Sequence, residues 1–299
     1  MKTVLRYSLV FATMALLSGC KKWLELKPLD GIIRQEFWKT KEQVQAAVTG
    51  IYSSMMGGTT TTNVEIERPL PELFFLWGEG RGDMISPTAR AISEEIDLTT
   101  LNILPTNRIT NWRFVYQTIN YCNTVIDLAP GVLQTDATFN QQQLDIALSQ
   151  AYAIRAMLYF YLVRTFDAVP LKLKATISDQ DLANLKKSSA DTILAQVVAD
   201  LKKAEAGAPV SYGNVTIDKG RITKAAVQAM LADVYLWMDK YTECVAECDK
   251  IINSNRFGLV AGNAAWFERL YYNGNSAEHI FSLQFDAQKL NSFYFMHAT

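Results

Sequence analysis

The amino-acid sequence predicts an all-α fold: an α/α superhelix of helical hairpins joined by long irregular loops. Three observations predict it. From about residue 110 onward, apolar residues recur at spacings of three and four; few segments alternate as strands do; and Gly- and Pro-containing stops fall between the periodic runs. Composition sets the frame. The chain has 299 residues, 49% of them hydrophobic, with 29 Lys+Arg against 30 Asp+Glu, the balance of an ordinary globular protein. Near-neutral charge and scattered basic residues speak against a nucleic-acid partner. Two histidines exclude a histidine-rich metal centre, and neither a metal nor a cofactor is expected.

The elements follow in chain order. Met1 to Cys20 has a basic start (Lys2, Arg6), an apolar stretch from Leu9 to Leu17, then Ser18-Gly19-Cys20, which reads as an export signal. The apolar run is shorter than the roughly 20 residues that a membrane-crossing helix needs. Leu17-Ser18-Gly19-Cys20 looks like a bacterial lipobox, and that resemblance implies cleavage before Cys20 and acylation of its thiol. The alternative is a plain secretory signal that happens to carry a cysteine. Removing residues 1–19 takes away two positive charges and leaves a net −3, so the expected anchor is lipid rather than charge. Lys21 follows the anchor position with no Asp there, which in such lipoproteins suggests passage to the outer membrane. The expected organisation is a signal peptide over 1–19 and a helical-repeat domain over 20–299.

Thr40 through Met56 places Val44, Ala47, Val48, Ile51 and Met55 on one face, with Thr40 as N-cap and Gly57-Gly58 as stop. Asn111 to Leu128 follows the same rule up to Pro130-Gly131. Gln141 to Phe166 is apolar all round at its centre, Ala156 to Val163, so protein must surround it. Ala190 to Ala206 is again amphipathic and stops at Gly207-Ala208-Pro209. In Thr223 to Asn253, residues Leu231, Ala232, Tyr235, Cys244, Cys248 and Ile251 fall where a tetratricopeptide repeat keeps its packed positions, with a break at Asp239-Lys240. One such hairpin cannot bury its own face. The expected neighbours are 141–166 paired with 190–206, and 40–56 paired with 111–128.

Beyond Cys20, three cysteines remain, an odd number that cannot close a disulfide framework. Cys244 and Cys248 share a helix face without a second Cys or His pair at zinc-ligand spacing, so they read as packed small hydrophobes. Residues 57–110 and 271–299 are not helical in pattern. The first contains the apolar run Leu73 to Trp77 followed by Gly78-Glu79-Gly80-Arg81-Gly82-Asp83; the second contains Tyr271-Tyr272-Asn273-Gly274-Asn275 and a strand-like run, Ile280 to Phe285. Long loops in compact domains usually carry function.

In this order the elements resemble the SusD/RagB family of surface glycan-binding lipoproteins. The resemblance rests on the lipobox, Phe37-Trp38 leading into a helix with Gly50-Ile51-Tyr52, and the Gly82-Asp83 loop. It continues through Trp112 to Asn123, Leu158-Tyr159-Phe160 leading to Phe166 through Leu171, Lys224-Ala225-Ala226 with Leu231 to Leu236, and Ala277 to Phe281. It implies a scaffold of tetratricopeptide-like hairpins at the outer membrane that captures oligosaccharide or polysaccharide and hands it to a TonB-dependent (SusC-like) transporter. Family members are considerably longer, so the chain reads as the N-terminal part of a longer protein.

Sugars are held by aromatic rings against the pyranose face and by carboxylate, amide or guanidinium groups forked to hydroxyls. The 77–83 segment offers that set: Trp77 as ring, Glu79 and Asp83 as acceptors, Arg81 as donor, and glycines for close backbone approach. The competing reading has Trp77 closing the core while Arg81 and Asp83 pair locally. Tyr271, Tyr272, Asn273 and Asn275 form a second candidate patch. Trp38, Trp112, Trp237 and Trp266 read as core. A catalytic reading would need Glu79 and Asp83 as the acid and base of a glycosidase, but one glycine loop holds them poorly, and no hydrolase, zinc-protease or P-loop motif is present. The expectation is a binding protein and not an enzyme; the alternatives are a repeat scaffold for protein partners and a surface glycosidase.

Overall fold

The computed structural model describes residues 37–57, 69–82, 84–176 and 185–286. Cys20 and Asp83 lie outside them. Residues 1–38 and 39–299 form two units; in the first, the Phe37 and Trp38 rings meet edge to face at 5.2 Å.

The second unit is built from helices with locally encoded ends. α1 spans Lys41–Met55 and opens on a reciprocal cap in which Thr40 Oγ1 accepts from Gln43 N–H and Gln43 Oε1 accepts from Thr40 N–H. Its buried stripe is Val44, Val48, Ile51, Tyr52 and Met55, and Gly57 takes the left-handed conformation just past its end, at φ +86°. α4 (Arg113–Leu128) buries Val115, Ile119, Cys122 and Val125. It does not stop at Pro130-Gly131 but tightens into a 3-10 stretch, Ala129–Gln134, where the proline, which has no N–H to offer, sits in the first turn. α5 (Gln141–Phe166) has the same reciprocal cap through Asn140 and Gln143. α6 (Ala190–Gly207) is capped by Ser189. α8 (Lys224–Trp237) is capped by Thr223, with the short α7 (Val215–Gly220) before it and α9 (Tyr241–Asn253) after it.

Between α8 and α9 the chain turns through Asp239 at φ +57°. Asp239 N–H donates to Leu236 O and Lys240 N–H to Tyr235 O, so a Schellman motif forms without glycine, at a residue type that tolerates the left-handed region. The pairings follow the expected order: α5 packs most extensively on α6, α8 on α9, and α1 on α4. α4 also packs on α5, and α6 on α8, so the hairpins stack into one tetratricopeptide-like superhelix. α5 lies at the centre, touching α1, α4, α6, α8 and the helix Leu70–Gly78; Leu158, Tyr159 and Leu162 are fully enclosed there. The α5–α6 approach has one tight point at Gly207, where an added Cβ would stand 2.6 Å from the Asp145 carbonyl oxygen. Backbone cannot yield as a side chain would. Gly207→Ala is therefore expected to lower stability by about 1–3 kcal/mol in urea denaturation, although alanine is the better helix former.

The structure corrects the loop reading of 57–110. Leu70–Gly78 is a helix, α2, and Ser93–Thr99 another, α3. Pro71 stands in the first turn of α2, where its missing N–H costs nothing. The buried Leu70, Leu73, Leu76 and Trp77 lie at helical spacing, but Phe74 and Phe75 are apolar as well and mask the period. The run 280–285 forms no strand; it lies along α7, with Ser282 N–H donating to Lys219 O at 2.8 Å. Tyr271 and Tyr272 end a single π-helical turn, Glu268–Tyr272. Cys122 is buried, whereas Cys244 and Cys248 are half-buried on the stripe of α9 that faces α8.

Candidate functional site

A pocket of about 920 Å³ lies beside the end of α5, where α2, the 98–113 connection and the start of α4 converge. Trp112 precedes α4, and its ring stands edge to face with Phe166 at 5.3 Å and tilted to Tyr116 at 6.2 Å. It is half-buried, yet its Nε1 is sealed from solvent with no hydrogen-bond partner among the described residues. Tyr116 OH donates to Pro170 O at 2.6 Å, and burial pushes this phenol well above its ordinary pKa. Pro170 belongs to β1 (Val169–Pro170), which pairs antiparallel with β2 (Lys187–Ser188) through Val169 with Ser188 and Pro170 with Lys187. That bridge brings the Lys187 ammonium over the Trp112 ring, 5.8 Å from its centroid.

The opposite wall is pinned by Asn107. Its side chain accepts from Ile109 N–H at 2.9 Å and donates to Glu94 O at 3.0 Å, fixing the 3-10 turn Arg108–Thr110. Arg108 pairs with Glu94 at 2.6 Å. Glu94 sits below the usual carboxylate range because its own backbone N–H and the Arg108 guanidinium both donate to it.

Beneath the site runs a buried polar network. Arg155 on α5 forks to Asp200 on α6 at 2.7 and 2.8 Å, and also donates to Asn123 Oδ1 on α4 at 2.7 Å and to Leu173 O at 3.2 Å. Gln196 donates to Asp200, and Asn123 donates to the carbonyls of Lys172 and Lys174. Tyr159 OH bonds to both the N–H and the C=O of Lys172. The network ties α4, α5 and α6 to the 171–176 segment that leads out of β1.

The sequence-derived candidates fall in different places. Trp77, in the last turn of α2, is 5% exposed; its Nε1 donates to Ile109 O at 2.8 Å and its ring meets Phe166 edge to face at 5.1 Å. It backs the pocket wall and presents no open face for stacking. Gly80 is buried, and a Cβ there would press on Leu98 at 3.0 Å, so this glycine serves the packing of α3. Arg81 is exposed and lines the pocket; Glu79 is exposed and does not. Tyr271, Tyr272 and Asn273 are exposed elsewhere, while Asn275, left-handed at φ +49°, exchanges amide hydrogen bonds with Gln284 at 3.1 and 3.2 Å. Asn275 borders a separate cavity of about 240 Å³.

Sequence reasoning missed Trp112, Tyr116, Phe166 and Lys187. Trp112 read as core because it begins a helix, and Lys187 sits in a polar linker with no local signal. Trp237 and Trp266, also read as core, are 50% and 37% exposed.

Residues 22–236 match the family SusD-like_3, described as "Starch-binding associating with outer membrane". Among curated proteins, SusD-like protein P38 of Formosa agariphila is 26% identical over 86% of this chain and 47% of its own length. SusD-like protein P2 of the same organism is 27% identical over 85% of this chain and 48% of its length. This chain thus spans about half the length of the curated relatives it matches. A SusD superfamily protein from Bacteroides vulgatus superposes with a TM-score of 0.68 at 21% identity, over 82% of this chain and 50% of that one. A laminarin-binding SusD-like protein superposes with a TM-score of 0.60 at 20% identity, over 75% and 45%. Stacked hairpins in the expected order, with a family match across most of their length, place this chain in the SusD-like family.

Proposed function

We propose that this chain belongs to a lipid-anchored receptor of the outer membrane that captures oligosaccharide at the cell surface and delivers it to a TonB-dependent (SusC-like) transporter, without catalysing a reaction on it. Cys20 is the proposed anchor. The observation that carries the reading is the pocket itself: about 920 Å³ walled by Trp112, Tyr116 and Phe166, with Thr106, Asn111 and Arg81 among its polar groups. Aromatic walls with a few convergent polar side chains suit a ring that is apolar on its faces and hydroxylated at its edge. The family description and the laminarin-binding relative support the same chemistry. The glycosidase reading draws no support from the site, because Glu79 stands outside the pocket wall.

A glycan-binding screen followed by calorimetry tests the proposal. Arg81→Ala is expected to weaken binding about tenfold, close to 1.4 kcal/mol, with thermal unfolding unchanged because Arg81 is exposed. Failure to bind any glycan would sink the reading. The alternative of a scaffold for protein partners has one observation in its favour: the last hairpin exposes Leu236, Trp237, Tyr241, Val245 and Ile252. Glycan-independent capture of a protein through that face, with no sugar bound, would favour it instead.

A further inference from the structure

We infer that the pocket beside Trp112 takes an acidic oligosaccharide, one carrying carboxylate or sulfate groups, and that Arg81 and Lys187 read its charge. The inference rests on the glycan-capture reading and names the substrate class. Its first support is the sign of the lining. Arg81, Arg108, Arg113 and Lys187 border the pocket, and among the described residues no Asp or Glu does. Over the whole chain basic and acidic residues are nearly balanced, 29 against 30, so the one-sided lining is a local arrangement.

The second support is how these cations are held. Arg108 is already paired with Glu94, which anchors the wall. Arg81 and Lys187 make no ion pair among the described residues, and Lys187 rests over the Trp112 ring. A cation on an exposed aromatic face is weakly held; a carboxylate or sulfate offers it a stronger charge-assisted hydrogen bond. An arriving anionic sugar would draw the ammonium off the ring and leave the Trp112 face open to the pyranose.

The third support is the hydrogen-bonding character of the wall. Neutral sugar hydroxyls are commonly gripped by side-chain carboxylates, and none stands among the described lining residues. The cations are donors only. A cluster of like charge in a concave, low-dielectric wall also concentrates anions near it.

The test titrates the whole chain with two matched pairs: oligogalacturonate against its carboxyl-reduced form, and dextran sulfate against dextran, with laminarin as a neutral control. At least one charged member is expected to bind ten times or more tighter than its neutral twin and to weaken steeply with salt; the pair that discriminates identifies carboxylate or sulfate. The Arg81→Gln/Lys187→Gln double variant, changed only at surface side chains, is expected to bind both twins alike. Equal affinity for the twins, or binding of the neutral members alone, overturns the acidic assignment and leaves glycan capture standing. A double variant that keeps the charge preference overturns the assignment of these two residues. Binding to none of the five probes overturns this inference; the capture reading falls with it only if the glycan screen is blank as well.

Discussion

Asp200→Ala is expected to lower the unfolding free energy by about 3–5 kcal/mol, measured by urea denaturation. The Arg155 and Asp200 side chains are 4% and 1% exposed. Burial works against the charged guanidinium, but its hydrogen bonds to the Asp200 carboxylate and the attraction of that charge outweigh it, and its pKa rises. Removing the carboxylate strands a buried cation and deprives Gln196 of its acceptor. Removing both charges is a different experiment. An Arg155→Met/Asp200→Leu double variant is expected to recover most of the loss, because a buried pair repays little beyond its own desolvation. Asn123 and the Leu173 carbonyl would still lose partners, so recovery is incomplete. If Asp200→Ala lost less than about 1 kcal/mol, the size of a single ordinary hydrogen bond, the pair would not be the clamp that its burial implies. The clamp also matters for the site, since it holds the segment that leads out of the β1–β2 bridge and so bears on where Lys187 stands.

Trp77→Ala is expected to cost a comparable amount, about 3–5 kcal/mol, because it empties a volume enclosed by α2, the Arg108–Thr110 turn and the end of α5, and orphans the Ile109 carbonyl. Trp77→Phe should lose less, keeping the ring contact with Phe166 while giving up the indole hydrogen bond. A glycan-binding defect in Trp77→Ala would therefore report collapse of the wall rather than loss of a stacking ring, and only the exposed Arg81 and Lys187 separate the two. Unchanged stability in Trp77→Ala would mean that the residue is not built into the core, and would restore it as a ligand contact.

The sequence alone settled much of the scaffold. The caps at Thr40, Asn140, Ser189 and Thr223, the break at Asp239, and the apolar spacing of each helix are written within a few residues of where they act, and the stacking of hairpins follows from faces that no single hairpin can cover. The ordered motifs also pointed to the family. Of the site, Arg81 and Trp77 were legible, by their place at the end of an apolar run and in the glycine-rich segment after it, but Trp77 as a stacking ring rather than as the wall it forms.

Which aromatic ring meets solvent was decided by tertiary structure. Trp77 and Trp112 look alike in sequence, each beside an apolar helical segment, but Ile109 and Phe166 close over the first, while the second keeps one face under an exposed lysine brought in by a two-residue bridge. The Arg155–Asp200 pair and the Trp112–Lys187 contact join positions distant in the chain. Helix ends depend on nearby backbone donors and acceptors, whereas exposure and charge pairing depend on what arrives from elsewhere in the chain, and packing alone determines that.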